Sequence, residues 1–144
     1  MTFPAPARDL ALLLGRVAVG VVFLAHGWQK LFTNGVDGTA AFFAQAGIPL
    51  PTAAAWFAAL VETLGGAALI LGALVPVAGL LLVLNMLGAF VFVHAGNGLF
   101  IDKNGYELVL TLGAAALVFA IVGPGRYSVD HRLAARRGRP AVTA

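Results

Sequence analysis

Residues 16–31, RVAVGVVFLAHGWQKL, belong to an apolar run long enough to cross a bilayer, yet they carry Arg16, His26 and Lys30. An arginine near the centre of a spanning helix costs about 2.5–3.5 kcal/mol on insertion scales, so it persists only where it meets protein or water. With Arg16 at 0° and about 100° per residue, Gly20 falls at about +40°, Gly27 at about +20°, Lys30 at about −40° and His26 at about −80°. All five share one sector. The glycines admit a neighbouring helix along that side, and the three basic side chains point into the same gap. This face is therefore expected to wall an internal polar site.

The composition bounds what surrounds that helix. Of 144 residues, 60% are hydrophobic and 10% charged, with a mean hydropathy of +0.94, a balance foreign to ordinary soluble domains. At roughly 20 residues per span the chain has room for about four membrane helices in one domain. The expected fold is an all-α membrane protein, a four-transmembrane-helix bundle with a short interfacial helix between spans 1 and 2. Cysteine is absent, which excludes thiol relays, disulfide exchange, iron–sulfur clusters and thiolate-bound zinc. Redox chemistry therefore needs a bound cofactor or a partner chain.

Charge is distributed unevenly, since Arg126, Arg132, Arg136, Arg137 and Arg139 all follow the last apolar segment. A basic tail after a spanning helix is retained in the cytoplasm and meets anionic headgroups of the bilayer. It does not point to nucleic acid.

In chain order, residues 1–9 form a cytoplasmic segment, 10–125 the transmembrane domain and 126–144 the basic cytoplasmic tail. The start resembles a signal peptide, but the apolar run is too long, contains Arg16 and lacks a small-residue cleavage site, so no cleavage is expected. The first span covers about residues 10–31. A short helix over 37–47 is broken by the Gly47–Pro51 segment, and a second span follows over 52–74. Around Glu62 in that span, Ala55, Ala58, Gly65, Gly66 and Ala73 lie within about 60° of its direction. The acid faces protein. The third span, 77–93, carries Asn85 at mid-depth, with His94 at its far end. Nine residues separate these two, about 180° on a straight helix, so either the helix ends before His94 or the two serve different contacts. The fourth span, 106–122, has Glu107 in its first turn, where an acid also complements the helix dipole.

HGWQKLFTNG after the first span and HAGNGLFIDKNG after the third echo one another, but the glutamates in the following helices sit at different depths and no repeat is inferred. Four spans place both termini on one side, and the tail makes that side cytoplasmic. His26, Lys30, His94 and Glu107 then lie toward the outer face, while Arg16, Glu62 and Asn85 lie deeper. Arg16 and Glu62 are expected to pair, because pairing is the cheapest way to hold two buried charges. A haem clamped between His26 and His94 is not expected, because axial ligands need facing positions that the loop after His94 does not establish, and the two histidines lack close metal-ligand spacing.

The sequence resembles the DoxX family of small four-helix bacterial membrane proteins. The resemblance rests on Arg16 with Gly20 and Phe23, His26-Gly27, Lys30-Leu31, Gly47-Ile48-Pro49, Glu62 with Gly65-Gly66, Gly72, His94, Glu107 and the exit from Gly123 to Asp130, and it covers about residues 10–130. It implies a multi-pass protein of the bacterial inner membrane. Relatives include the membrane subunit of thiosulfate:quinone oxidoreductases, which implies a quinone-linked role alongside a soluble or membrane redox partner. The residues themselves leave two classes open. In one, His26, Lys30, Glu107 and His94 surround a quinone headgroup near the outer face, and the protein is a subunit of a quinone-linked oxidoreductase in sulfur or oxidative-stress chemistry. In the other, the polar core only fixes packing in a non-catalytic anchor, assembly partner or small-solute carrier. Either is compatible with a homo-oligomer.

Overall fold

In the computed structural model, which describes residues 4–136 and 138, the first helix, α1 (Ala5–Trp28), begins with proline in its first turn. Proline fits there because that turn's N–H groups have no helical acceptor. The helix therefore starts five residues ahead of the expected span and takes in Arg8 and Asp9. Its far end widens into a π-helical turn, Gln29–Thr33, closed by the Asn34 N–H donating to the Gln29 carbonyl at 2.9 Å. The short helix α2 (Gly35–Gln45) follows, ending at Gly47 with φ +74°.

The next helix is α3 (Pro51–Leu71). Gly72, φ +69°, ends it: the Ala73 N–H donates to Ala68 O and the Gly72 N–H to Leu69 O, the paired bonds of a left-handed glycine cap. Helix α4 (Val75–Ala89) passes into a second π-helical turn, Phe90–His94. A loop leads to α5 (Glu107–Val122), and the chain ends in α6 (Val129–Arg136). The sequence marks this last region for its charge alone. Within it the structure places a helix, and Arg137 and Arg139 lie outside the described residues.

Among the described residues there is no strand. Three stretches, Ala5–Thr33, Pro51–Leu71 and Val75–Asn97, are long and apolar enough to cross a membrane. The 16 residues of α5 make a shorter apolar helix of about 24 Å.

Small residues set the packing. A Cβ on Gly20 would stand 2.7 Å from the Gly66 carbonyl, and one on Gly66 would stand 2.6 Å from the Leu24 nitrogen, so α1 and α3 touch backbone to backbone. Further along, Gly27 faces Thr63, which makes the two helices antiparallel. Gly79 of α4 packs on Ala116 and Ala120 of α5 in the same way, and Gly65 of α3 receives Leu82 of α4. Phe23, Leu69, Val75, Leu82, Met86, Leu112 and Phe119 fill the core. Large apolar side chains such as Leu14, Leu64, Leu80 and Leu84 stay exposed, as suits a surface that meets lipid.

This packing gathers the ends of the helices into two groups. One end holds both π turns, α2 and the starts of α3 and α5. The other holds the start of α1, the α3–α4 turn, the end of α5 and α6.

Candidate functional site

Glu62, midway along α3, faces the α2 side with its side chain only 4% exposed, and both carboxylate oxygens are engaged. Lys30 Nζ donates to Oε2 at 2.6 Å, and Asn85 Nδ2 donates to Oε1 at 2.8 Å. One carboxylate thus joins three helical segments. Lys30 reaches it from the first π turn, whose backbone is tied to α2 by Thr39: its hydroxyl donates to the Gly35 carbonyl at 2.9 Å and contacts the Lys30 carbonyl at 3.3 Å.

These groups border a cavity of about 220 Å³ lined by Lys30, Glu62, Asn85 and His94 together with the rings of Phe42, Phe43, Phe57 and Phe92. His94 Nδ1 lies 2.8 Å from the Asn104 carbonyl. A carbonyl can only accept, so Nδ1 carries the proton and Nε2 of the neutral ring is an acceptor. The second π turn accounts for His94 and Asn85 lining one cavity despite their spacing. The α-helix ends at Ala89 and an i→i+5 turn replaces it, so the straight-helix angle does not apply.

Two of the expected pocket residues stand elsewhere. His26 is half-buried, its ring has no hydrogen-bond partner among the described residues, and it does not line the cavity. Glu107 also lies outside it, accepting the Ile101 N–H on Oε1 at 2.7 Å and so pinning the loop before α5. His26 and Lys30 would stack on a continuous α-helix, but the π turn begins at Gln29, between them.

The expected Arg16–Glu62 pair does not form. Arg16 is 0% exposed at the opposite end, where Nη1 donates to Leu69 O at 2.6 Å and contacts Ile70 O at 3.5 Å, and Nη2 donates to Tyr127 O at 2.8 Å. Its Nε is buried with no partner among the described residues. The reason is register: the Gly20–Gly66 and Gly27–Thr63 contacts set Arg16 level with the last turn of α3, and Leu69 lies about 10 Å along the axis from Glu62. There the guanidinium meets carbonyls that have few helical donors and carry the negative end of the helix dipole. Gly72 makes room for it, since a Cβ there would stand 2.6 Å from Nη1.

Sequence reasoning missed the rest of this end. Asp130 accepts the Leu74 and Val75 N–H groups, at 2.8 and 3.1 Å, and so caps α4. Asp9, 3% exposed, accepts the Arg126 N–H at 3.2 Å. Ser128 accepts the His131 N–H at 3.1 Å, a cap on α6 that a serine before a short helical run does signal. Among the described residues no three His, Asp or Glu side chains gather in a way that could hold a metal ion.

The geometry defines an all-helical membrane protein with a buried charge at each end of its packed helices, one beside a cavity and one closed on backbone carbonyls. The sequence pattern of the DoxX family matches residues 11–95, from ahead of Arg16 to just past His94. The chain belongs to the DoxX family. It is 31% identical over 131 residues to "Inner membrane protein YphA" of Escherichia coli, spanning 88% of this chain and 92% of that one. It is 32% identical over 135 residues to "Inner membrane protein YqjF" of the same organism, spanning 88% and 94%. Over 85 residues, 59% of this chain and 60% of the relative, it is 34% identical to "Putative oxidoreductase CatD" of Bacillus subtilis. No solved structure matches.

Proposed function

We propose that this protein is an inner-membrane subunit of a quinone-linked redox complex, in sulfur or oxidative-stress chemistry, and that the cavity beside Glu62 receives the quinone ring. The observation that carries this reading is a nearly inaccessible carboxylate, held by an ammonium and an amide, in the wall of a cavity lined by phenylalanines. Phe42, Phe43, Phe57 and Phe92 supply apolar surface for a flat ring. Lys30 and Asn85 are the donors that orient a carbonyl oxygen, and Glu62, Lys30 and His94 are the groups that hold or pass a proton. A bound quinone takes up electrons together with protons. A chain without cysteine leaves electron delivery to a partner protein. The names of the two Escherichia coli relatives support the inner membrane, and the name of the Bacillus subtilis relative supports redox work.

In this reading α5 is the fourth span, α2 lies in the interface, and Arg126, Arg132 and Arg136 hold the α6 end in the cytoplasm. The test is purification with native partners in mild detergent, followed by an absorption spectrum, lipid extraction and identification of co-purifying proteins. The expected result is bound quinone that disappears in Lys30→Ala and Asn85→Ala while helix content is kept. A quinone-free protein that never associates with a dehydrogenase or sulfur enzyme removes the proposal.

One observation favours the other class, an anchor or small-solute carrier. Lys30, Glu62 and Asn85 satisfy one another, as a clasp between helices requires. For a clasp alone, the same substitutions lower the melting temperature and alter no bound molecule.

A further inference from the structure

At the α6 end a larger cavity, about 610 Å³, opens between the start of α1, the end of α5 and α6. Its wall is divided. Pro76, Ala120, Ile121 and Val122 form an apolar side, and Ile121 is 75% exposed toward the surroundings of α5. Arg8, Arg126 and His131 form a basic side. The two acids in the wall are turned to the backbone, Asp130 accepting from Leu74 and Val75 and Asp9 from Arg126. By contrast, the Arg126 guanidinium and the His131 ring have no hydrogen-bond partner among the described residues.

We propose that this cavity binds the phosphate of an anionic phospholipid, with Arg126 and His131 as its donors and an acyl chain laid over Ile121 and Val122. A guanidinium offers a planar fork of donors that matches two phosphate oxygens, and a ring N–H adds a third contact. The backbone holds both residues in place before any ligand arrives. The Arg126 N–H is tied to Asp9 on α1, and the His131 N–H to Ser128 at the start of α6. A free phosphate shares the polar half of this chemistry and has no use for the apolar half. Arg132 and Arg136 on α6 add positive potential near the opening. The inference is independent of the quinone reading, which concerns the opposite end.

The test uses the full chain, delipidated in detergent, with native mass spectrometry to count retained lipid. Dioleoyl-phosphatidylglycerol is compared with dioleoyl-phosphatidylcholine, and inorganic phosphate is the competitor. One phosphatidylglycerol is expected to be retained about tenfold more tightly than phosphatidylcholine, since only its headgroup keeps a net negative charge beside the basic side of the cavity. The double substitution Arg126→Gln, His131→Gln should erase the preference, and Lys103→Gln, at the opposite end of the bundle, should keep it. Ile121→Ser should weaken phosphatidylglycerol binding. Equal retention of the two lipids by the wild-type chain overturns the proposal whether or not the double variant folds. Displacement of phosphatidylglycerol by millimolar inorganic phosphate, with no effect of Ile121→Ser, reassigns the site to a soluble phosphate and also overturns it.

Discussion

Arg16 and Glu62 solve the burial of a charge in two ways, and thermodynamic coupling separates them. Glu62 has a side-chain counterion, so removing one partner strands the other at low exposure. Lys30→Gln and Glu62→Gln should each lower stability in a detergent unfolding titration, with a double-mutant interaction of about 0.5–3 kcal/mol. Arg16 has carbonyls instead, and hydrogen bonds from a charged donor contribute about 1.5–3 kcal/mol each. Arg16→Gln should therefore cost about 3 kcal/mol or more, and its effect should add to that of Glu62→Gln within about 0.5 kcal/mol. A measured coupling between Arg16 and Glu62 beyond that margin would contradict the observed register. The inward direction of both residues was legible in the sequence: Arg16, Gly20, Phe23 and Gly27 are all buried, as are Ala55, Ala58, Glu62, Gly65 and Gly66. Their partners were not. Helical periodicity reports direction around an axis, whereas partnership depends on depth along it, and depth is fixed here by which glycines meet.

Among the elements, those glycine contacts and the two π turns decide the geometry. Gly20→Ala and Gly66→Ala each force a methyl against facing backbone, and each should cost about 1–3 kcal/mol in the same titration. Gly38→Ala on α2 is the control, because its Cβ would come no closer than 3.9 Å to Asn34. It should be neutral or stabilising by up to about 1 kcal/mol, the usual gain on replacing a helical glycine. Asp130→Ala removes the carboxylate cap of α4 and should cost about 0.5–2 kcal/mol. The π turns explain why the pocket beside Glu62 was only half legible. Lys30 and His94 each lie in such a turn, where angles computed for an α-helix fail. The first turn falls inside one of the two stretches that echo each other in sequence and the second ends at the first residue of the other, although nothing in residue composition marks the change from i→i+4 to i→i+5 bonding.

For the whole molecule, the two ends have opposite characters, and orientation in the bilayer gives that difference meaning. The α6 end carries Arg8, Arg126, Arg132 and Arg136, whereas the α2 end exposes few charges beyond Asp37, Asp102 and Lys103. In the proposed orientation, retention of basic residues holds the first end in the cytoplasm. In that orientation the proposed phospholipid cavity would meet the leaflet that holds most of the anionic lipid, and the Glu62 cavity would lie toward the outer surface. Because the chain has no cysteine, single substitutions report directly on this arrangement. Asn34→Cys and Asn104→Cys, both at exposed positions of the α2 end, should react with a membrane-impermeant thiol reagent in intact cells. Ala135→Cys on α6 should react only after the membrane is permeabilised. The reverse pattern would put the arginine-rich end outside, so that Lys30 and Glu62 would draw protons from the cytoplasm and the proposed lipid site would face a leaflet poor in its ligand.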